Sequence, residues 1–242
     1  MIVTATNIKN NFGKYIRLAA KEDVIITKNG EKIAKLISYD IYGNECGSSV
    51  INESGLAYNY NRKKVTYEEF LEIRANSDEG YEYIDGEIYL MSAPKATHQK
   101  ILCEMFNIFY NWFKGKKCTP MIAPFEIKLK RNESGKNMVQ PDLMVICDLE
   151  EELGEDDYYN GVPKLIVEII SSSTKSKDYV KKLDLFMSCG VSEYWIVDPI
   201  DKEVHIFVFN DKELSDKKTC SFNETVKSFT FQGLEVDMRS FS

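Results

Sequence analysis

The chain has 242 residues, 43% of them hydrophobic and 29% charged, and a formal net charge of −7. That length allows one domain or two, and the composition is that of an ordinary globular protein. A negative balance excludes a molecule coated in basic patches, so any polyanion must meet a local groove or bound cations. No cationic leader with an apolar stretch opens the sequence. The most apolar segments, such as 165–170, are far shorter than the roughly 20 residues of a membrane helix. The expectation is a soluble, cytoplasmic protein with no membrane partner.

Charge is unevenly spread. Residues 1–40 carry seven Lys/Arg against four Asp/Glu, a net of +3, and the remainder carries 24 against 34, a net of −10. The six cysteines show no CxxC or Cys/His spacing, and the histidines are only His98 and His205. A structural zinc site is not expected, and the cysteines read as reduced, small core residues.

In chain order, Ile2-Val3-Thr4 favours a strand. Thr6 or Asn7 can cap a helix whose Ile8, Phe12, Tyr15, Ile16 and Ala19 follow helical spacing. Strands at 24–27 and 32–37 flank the hairpin turn Lys28-Asn29-Gly30-Glu31. A unit of about 40 residues buries little core alone and calls for a partner subunit. Dimerisation and DNA binding are equally open on these residues. Turn formers crowd 41–64, a linker signal, giving a module at 1–40, a linker at 41–64 and a larger domain at 65–242.

The larger piece opens with a helix near Tyr67–Ala75 and a hairpin across Tyr81–Met91, turning at Asp85-Gly86. A helix from about Thr97 to Lys114 follows, with a broad apolar face from Ile101 to Phe113. Strands are expected at 122–130, 143–147 and 165–170, a helix at 178–189, and strands at 194–197 and 204–209. That order implies an α+β fold, a mixed sheet with helices on both faces.

Two carboxylates stand out. Asp142 opens a strand after Pro141, and Glu168 lies inside the apolar run LIVEII, where an ionised group needs a partner or a metal. If their strands pair, both acids meet as an oxygen-ligand site for a hard cation. A structural ion pair is the open alternative. Lys182 stands four residues after Asp178, either as a solvated helix-face pair or beside the metal site. His98 can reach substrate or satisfy a helix start. Glu82 and Glu87 flank the Asp85-Gly86 turn, where exposed acids are commonplace. Seven acids in 148–157 read as a solvated loop. No P-loop, Rossmann glycine pattern, GxSxG or HExxH is present, leaving nucleotide hydrolysis, nicotinamide chemistry and serine hydrolysis without support.

The opening MIVTATNIKNNFGKYIRLAAKEDVIITKNGEKIAKL resembles the Phd/YefM antitoxin family. That resemblance implies a homodimer whose basic face grips DNA through Lys9, Asn10, Asn11, Lys14 and Arg17. Such antitoxins continue into a tail that neutralises a cognate toxin, whereas here a different domain follows. Residues 65–210 resemble the Uma family of restriction-endonuclease-like proteins, within the PD-(D/E)xK superfamily. The matching pieces are YEYIDGEIYLMSAP, His98, QPDLMVI, VPKLIVEIISSST, Asp178 to Lys182, and GVSEYWIVDP. The resemblance implies Mg²⁺ or Mn²⁺ on Asp142 and Glu168, helped by the Ile169 carbonyl. It makes Lys182 the motif lysine, with Glu82 and His98 as supporting site residues. Two positions depart from the pattern: Ile170 stands where the motif lysine would be, and Ser172 where proline is common. The expected function is metal-dependent DNA cleavage. The rivals are a catalytically inactive DNA-binding regulator and a toxin–antitoxin component.

Overall fold

The computed structural model describes residues 2–10, 12–19, 24–28, 31–36, 64–132, 135–155, 157–171, 174–175 and 177–241. The chain separates into two compact units, Met1–Arg62 and Lys63–Ser242. Most of the expected linker, the turn residues Asn29 and Gly30, and Ser172 lie outside the described residues.

In the first unit, β1 (Ile2–Thr4), α1 (Ala5–Asn10), α2 (Phe12–Ala19), β2 (Val24–Lys28) and β3 (Glu31–Leu36) follow one another. β2 is central, parallel to β1 and antiparallel to β3. The helix cap is neither Thr6 nor Asn7. The Thr4 hydroxyl accepts the Asn7 backbone N–H at 3.2 Å, because the helix begins at Ala5. Val3, Tyr15, Ala19 and Val24 form a small buried core, with Ile8 and Leu36 packed on it.

The second unit starts with α3 (Tyr67–Ala75), whose Thr66 hydroxyl and Glu69 carboxylate exchange backbone bonds in a capping box. Next come β4 (Tyr81–Ile84), β5 (Glu87–Leu90), α4 (Ala96–Phe113), β6 (Thr119–Ile122), β7 (Ile127–Lys130), β8 (Lys136–Val139) and β9 (Leu143–Ile146). The expected strand run 122–130 is split: Ala123–Pro124 is a cis bond, and β6 and β7 belong to different sheets. After α5 (Leu149–Glu152) and β10 (Leu165–Ile169), a π-helical turn (Lys177–Lys182) runs into α6 (Leu183–Cys189). The expected single helix over 178–189 is therefore two geometries end to end. β11 (Glu193–Asp198), β12 (Glu203–Asn210), β13 (Glu213–Ser221), β14 (Thr225–Lys227) and β15 (Glu235–Asp237) complete the order.

Six strands form the main sheet in the order β13-β12-β11-β10-β9-β6, and β5-β4-β8-β7 form a second. Among the described residues only β10 and β11 pair in parallel in the main sheet, so the chain must cross over between them, and α6 lies on that crossover. Strand alternation sends Leu143, Val145, Leu165, Val167 and Ile169 to the core shared with α4. Met144, Ile146, Ile166 and Ile170 point to the core shared with α6. Helices thus cover both faces, as the element order implies.

The hairpin turn at Asp85 and Gly86 has φ of 51° and 90°, the left-handed pair that an Asp-Gly turn supplies. One cysteine expectation is overturned. Cys118 and Cys147, brought face to face by the β6–β9 register, form a disulfide, whereas Cys189 and Cys220 are free and buried.

Candidate functional site

Glu168 points to the α6 side of β10 and is 5% exposed. Continuing the β9–β10 register one step beyond Val167↔Leu143 sets it against Asp142. Pro141 and the bond from Ala123 N–H to the Asp142 carbonyl fix the start of that strand. Oδ2 of Asp142 accepts the Ile169 backbone N–H at 2.7 Å and contacts His98 Nε2 at 3.1 Å. His98 arrives from the first turn of α4. Burial would lower the His98 pKa, but the bond to Asp142 raises it above the ordinary value.

Lys182 is buried and its Nζ lies 2.6 Å from Glu168 Oε1, 2.8 Å from Glu82 Oε1 and 3.7 Å from Asp178 Oδ1. The solvated Asp178–Lys182 pair is thereby corrected: both side chains are inside, on a π turn packed against the sheet that carries Glu168. Glu82 is also not an exposed turn acid. It is 1% exposed, bridges Lys182 and Lys177, and accepts the Gln140 backbone N–H. Glu87 is half-buried and takes the Tyr89 hydroxyl and Lys181.

These contacts set the protonation states. Burial would raise Glu82, yet Lys182 and Lys177 hold it down at about 2. Burial pushes Glu168 and Asp178 up, with Lys182 opposing only in part. Burial would lower Lys182, but the surrounding carboxylates, Glu168 first, keep it charged.

Glu82, Glu168 and Asp178 thus surround Lys182, Lys177 bonds Glu82, and Asp142 stands opposite Glu168 with His98 on it. The all-oxygen donors of Asp142 and Glu168 suit a hard divalent cation. Among the described residues, Asp178 Oδ1 and His98 Nδ1 are buried without a hydrogen-bond partner. Among the described residues no three His, Cys, Asp or Glu groups converge as a closed metal cage. Mg²⁺ characteristically takes one or two carboxylates and keeps waters, so the residues present fit it.

Residues 67–239 match the model of the Uma2 family, described as "Putative restriction endonuclease". The chain belongs to the Uma2 family. Residues 1–44 match the model "Antitoxin Phd_YefM, type II toxin-antitoxin system". An uncharacterized protein of Synechocystis sp., slr1290, is 27% identical over 149 residues, covering 61% of this chain and 76% of that protein. The fold is similar to the crystal structure of a "putative nuclease belonging to DUF820" from Anabaena variabilis. That match has a TM-score of 0.58 at 18% identity, over 73% of this chain and 98% of the other. The Uma2 unit therefore has a nuclease-like fold.

The structure gathers Asp142, Glu168, Lys182, Glu82 and His98 into one region, with the Ile169 backbone beside them. Sequence reasoning missed Lys177. Its only signal was its place just ahead of Asp178 in TKSKD. In the first unit Lys9 and Lys14 are exposed, Asn10 and Arg17 fall within the two helices, and Asn11 lies outside the described residues. Among the described residues no helix is long and apolar enough to cross a membrane.

Proposed function

We propose that this Uma2 protein is a metal-dependent endonuclease that hydrolyses DNA phosphodiesters. The observation that carries the reading is the placement of Asp142 opposite Glu168 on neighbouring strands, with a buried lysine on Glu168. Asp142 and Glu168 would hold Mg²⁺ or Mn²⁺, with the Ile169 carbonyl as a further ligand. When bound, the cation supplies Lewis acidity at the phosphate and lowers the pKa of an attacking water.

The chain's own residues prepare that centre. The Ile169 N–H and His98 fix the Asp142 carboxylate through one oxygen, leaving the other for a ligand. Lys182 offsets the Glu168 charge, and Glu82 holds Lys182 in place. The N-terminal module would dimerise and grip DNA through Lys9, Asn10, Asn11, Lys14 and Arg17, and a cognate toxin is its further partner.

Nicking of supercoiled plasmid with Mg²⁺, Mn²⁺ or EDTA, beside Asp142→Ala, tests the reading. Metal-dependent cleavage lost in the variant is expected. Cleavage that survives in the variant overturns the site. The close Lys182–Glu168 contact favours a second reading, a sealed ion-pair centre in a DNA-binding regulator. That reading gains if the protein binds DNA and no metal supports nicking.

A further inference from the structure

The two lysines on Glu82 differ in their surroundings. Lys182 is enclosed by Glu168, Glu82 and Asp178, and its side chain is 3% exposed. Lys177 bonds the other oxygen of Glu82, and its side chain is 16% exposed. Its Nζ lies 5.5 Å from the centre of the Tyr89 ring, on the adjacent hairpin strand β5.

Residues five apart on an α-helix point about 140° away from each other. The wider π turn, with its i→i+5 bonding, swings Lys177 and Lys182 to the same carboxylate. π turns of this kind recur at functional sites. Here the turn stacks the lysines at two depths, one inside and one at the rim.

Depth divides their work. Lys182 has carboxylates on every charged contact and no opening toward a large ligand. A centre lined with acids disfavours an incoming polyanion unless a cation stands at its mouth. An ammonium has three donors, and Lys177 spends one on Glu82 among the described residues. It can therefore hold Glu82 and a phosphate oxygen together, without releasing its anchor.

We propose that Lys177 is a substrate-binding residue of this site, donating to a non-bridging oxygen of a DNA phosphodiester while Lys182 serves as the internal counter-ion. This rests on the nuclease reading above.

The test is the binding of a short fluorescent DNA duplex to the full chain in EDTA, across a series of NaCl concentrations. Wild type is compared with Lys177→Met, Lys177→Arg and the control Lys217→Met on β13. Methionine keeps an unbranched apolar stem and removes the charge, and melting temperatures report the fold. One lost phosphate contact shrinks the slope of log Kd against log salt by about 0.9. That change is expected for Lys177→Met, with the slope restored by Lys177→Arg and unmoved by Lys217→Met. A purely structural role would lower the melting temperature and leave the slope alone. An unchanged slope in a folded Lys177→Met overturns this proposal and leaves the nuclease reading standing if the wild type nicks plasmid. Wild type that neither binds nor nicks DNA overturns both.

Discussion

Two buried glutamates stand at opposite ends of the parallel pair β10–β11, and they are satisfied in contrasting ways. Glu193, at the start of β11, accepts the Trp195 indole N–H, the Ser228 hydroxyl and the backbone N–H groups of Phe229 and Thr230. Every donor is an uncharged group, both oxygens are engaged, and the result ties residues 228–230 to the sheet. Glu168, near the end of β10, has a lysine on one oxygen and further carboxylates close by. Equal burial therefore says nothing about role. What separates them is the donor set: a closed ring of dipoles at one end, an unbalanced cluster of charges at the other.

The sharpest way to break this contrast is to truncate both. Glu168→Ala is expected to lose at least about 100-fold in plasmid nicking, since even groups behind metal ligands are worth 10–100-fold, while its melting temperature stays near wild type. Glu193→Ala should do the reverse. Leaving the Trp195 indole N–H buried and unpaired, and losing the part-buried bonds to residues 228–230, costs about 1–3 kcal/mol in urea unfolding, with activity per folded molecule unchanged. If Glu193→Ala abolishes nicking in folded protein, the division between the two ends is wrong. His98→Ala tests the active end more gently, with a loss of about 10–100-fold expected because histidine acts through Asp142.

Much of the candidate site was legible. A lone acid in LIVEII and an acid after Pro141 are costly anomalies in strands, and pairing of those strands follows from their order. The inside position of Lys182 was not legible, because D-x-x-x-K has the same spacing on a solvated helix. Its partners Glu168 and Glu82 come from separate strands, and that packing leaves no mark in the local spacing. Glu82 was hidden by its alternation next to a turn, where most acids are wet. β13 went unseen because ELSDKKTCS has hardly an apolar residue to betray a strand. Cys118 and Cys147 are 29 residues apart and in no motif, so only the register of β6 against β9 reveals them as partners.

That disulfide supplies the next test. Closing a loop of that length stabilises a fold by about 2–4 kcal/mol, so reduction, or Cys118→Ser, should lower the urea midpoint by a corresponding amount. No change on reduction would show that the thiols do not pair. The smallest effect is expected at Asp198. Burial would raise its pKa, but Lys175 and the N–H groups of Asp201 and Ile200 hold it below the ordinary value. A depressed carboxyl stabilises above its unfolded pKa and loses that contribution as pH falls through the folded one. Asp198→Asn should therefore melt below wild type at pH 6, with the gap closing toward pH 3. A gap that holds constant with pH would remove Asp198 from the account of acid stability.

The main sheet ends in two strands that cannot recruit a third. On one side β6 carries Pro120, which has no N–H to offer, and is stapled beside its neighbour by the disulfide. On the other, β13 presents Asp216, Lys217 and Lys218 on an exposed edge. Both edges of this unit thus disfavour the edge-to-edge stacking that turns sheets into aggregates.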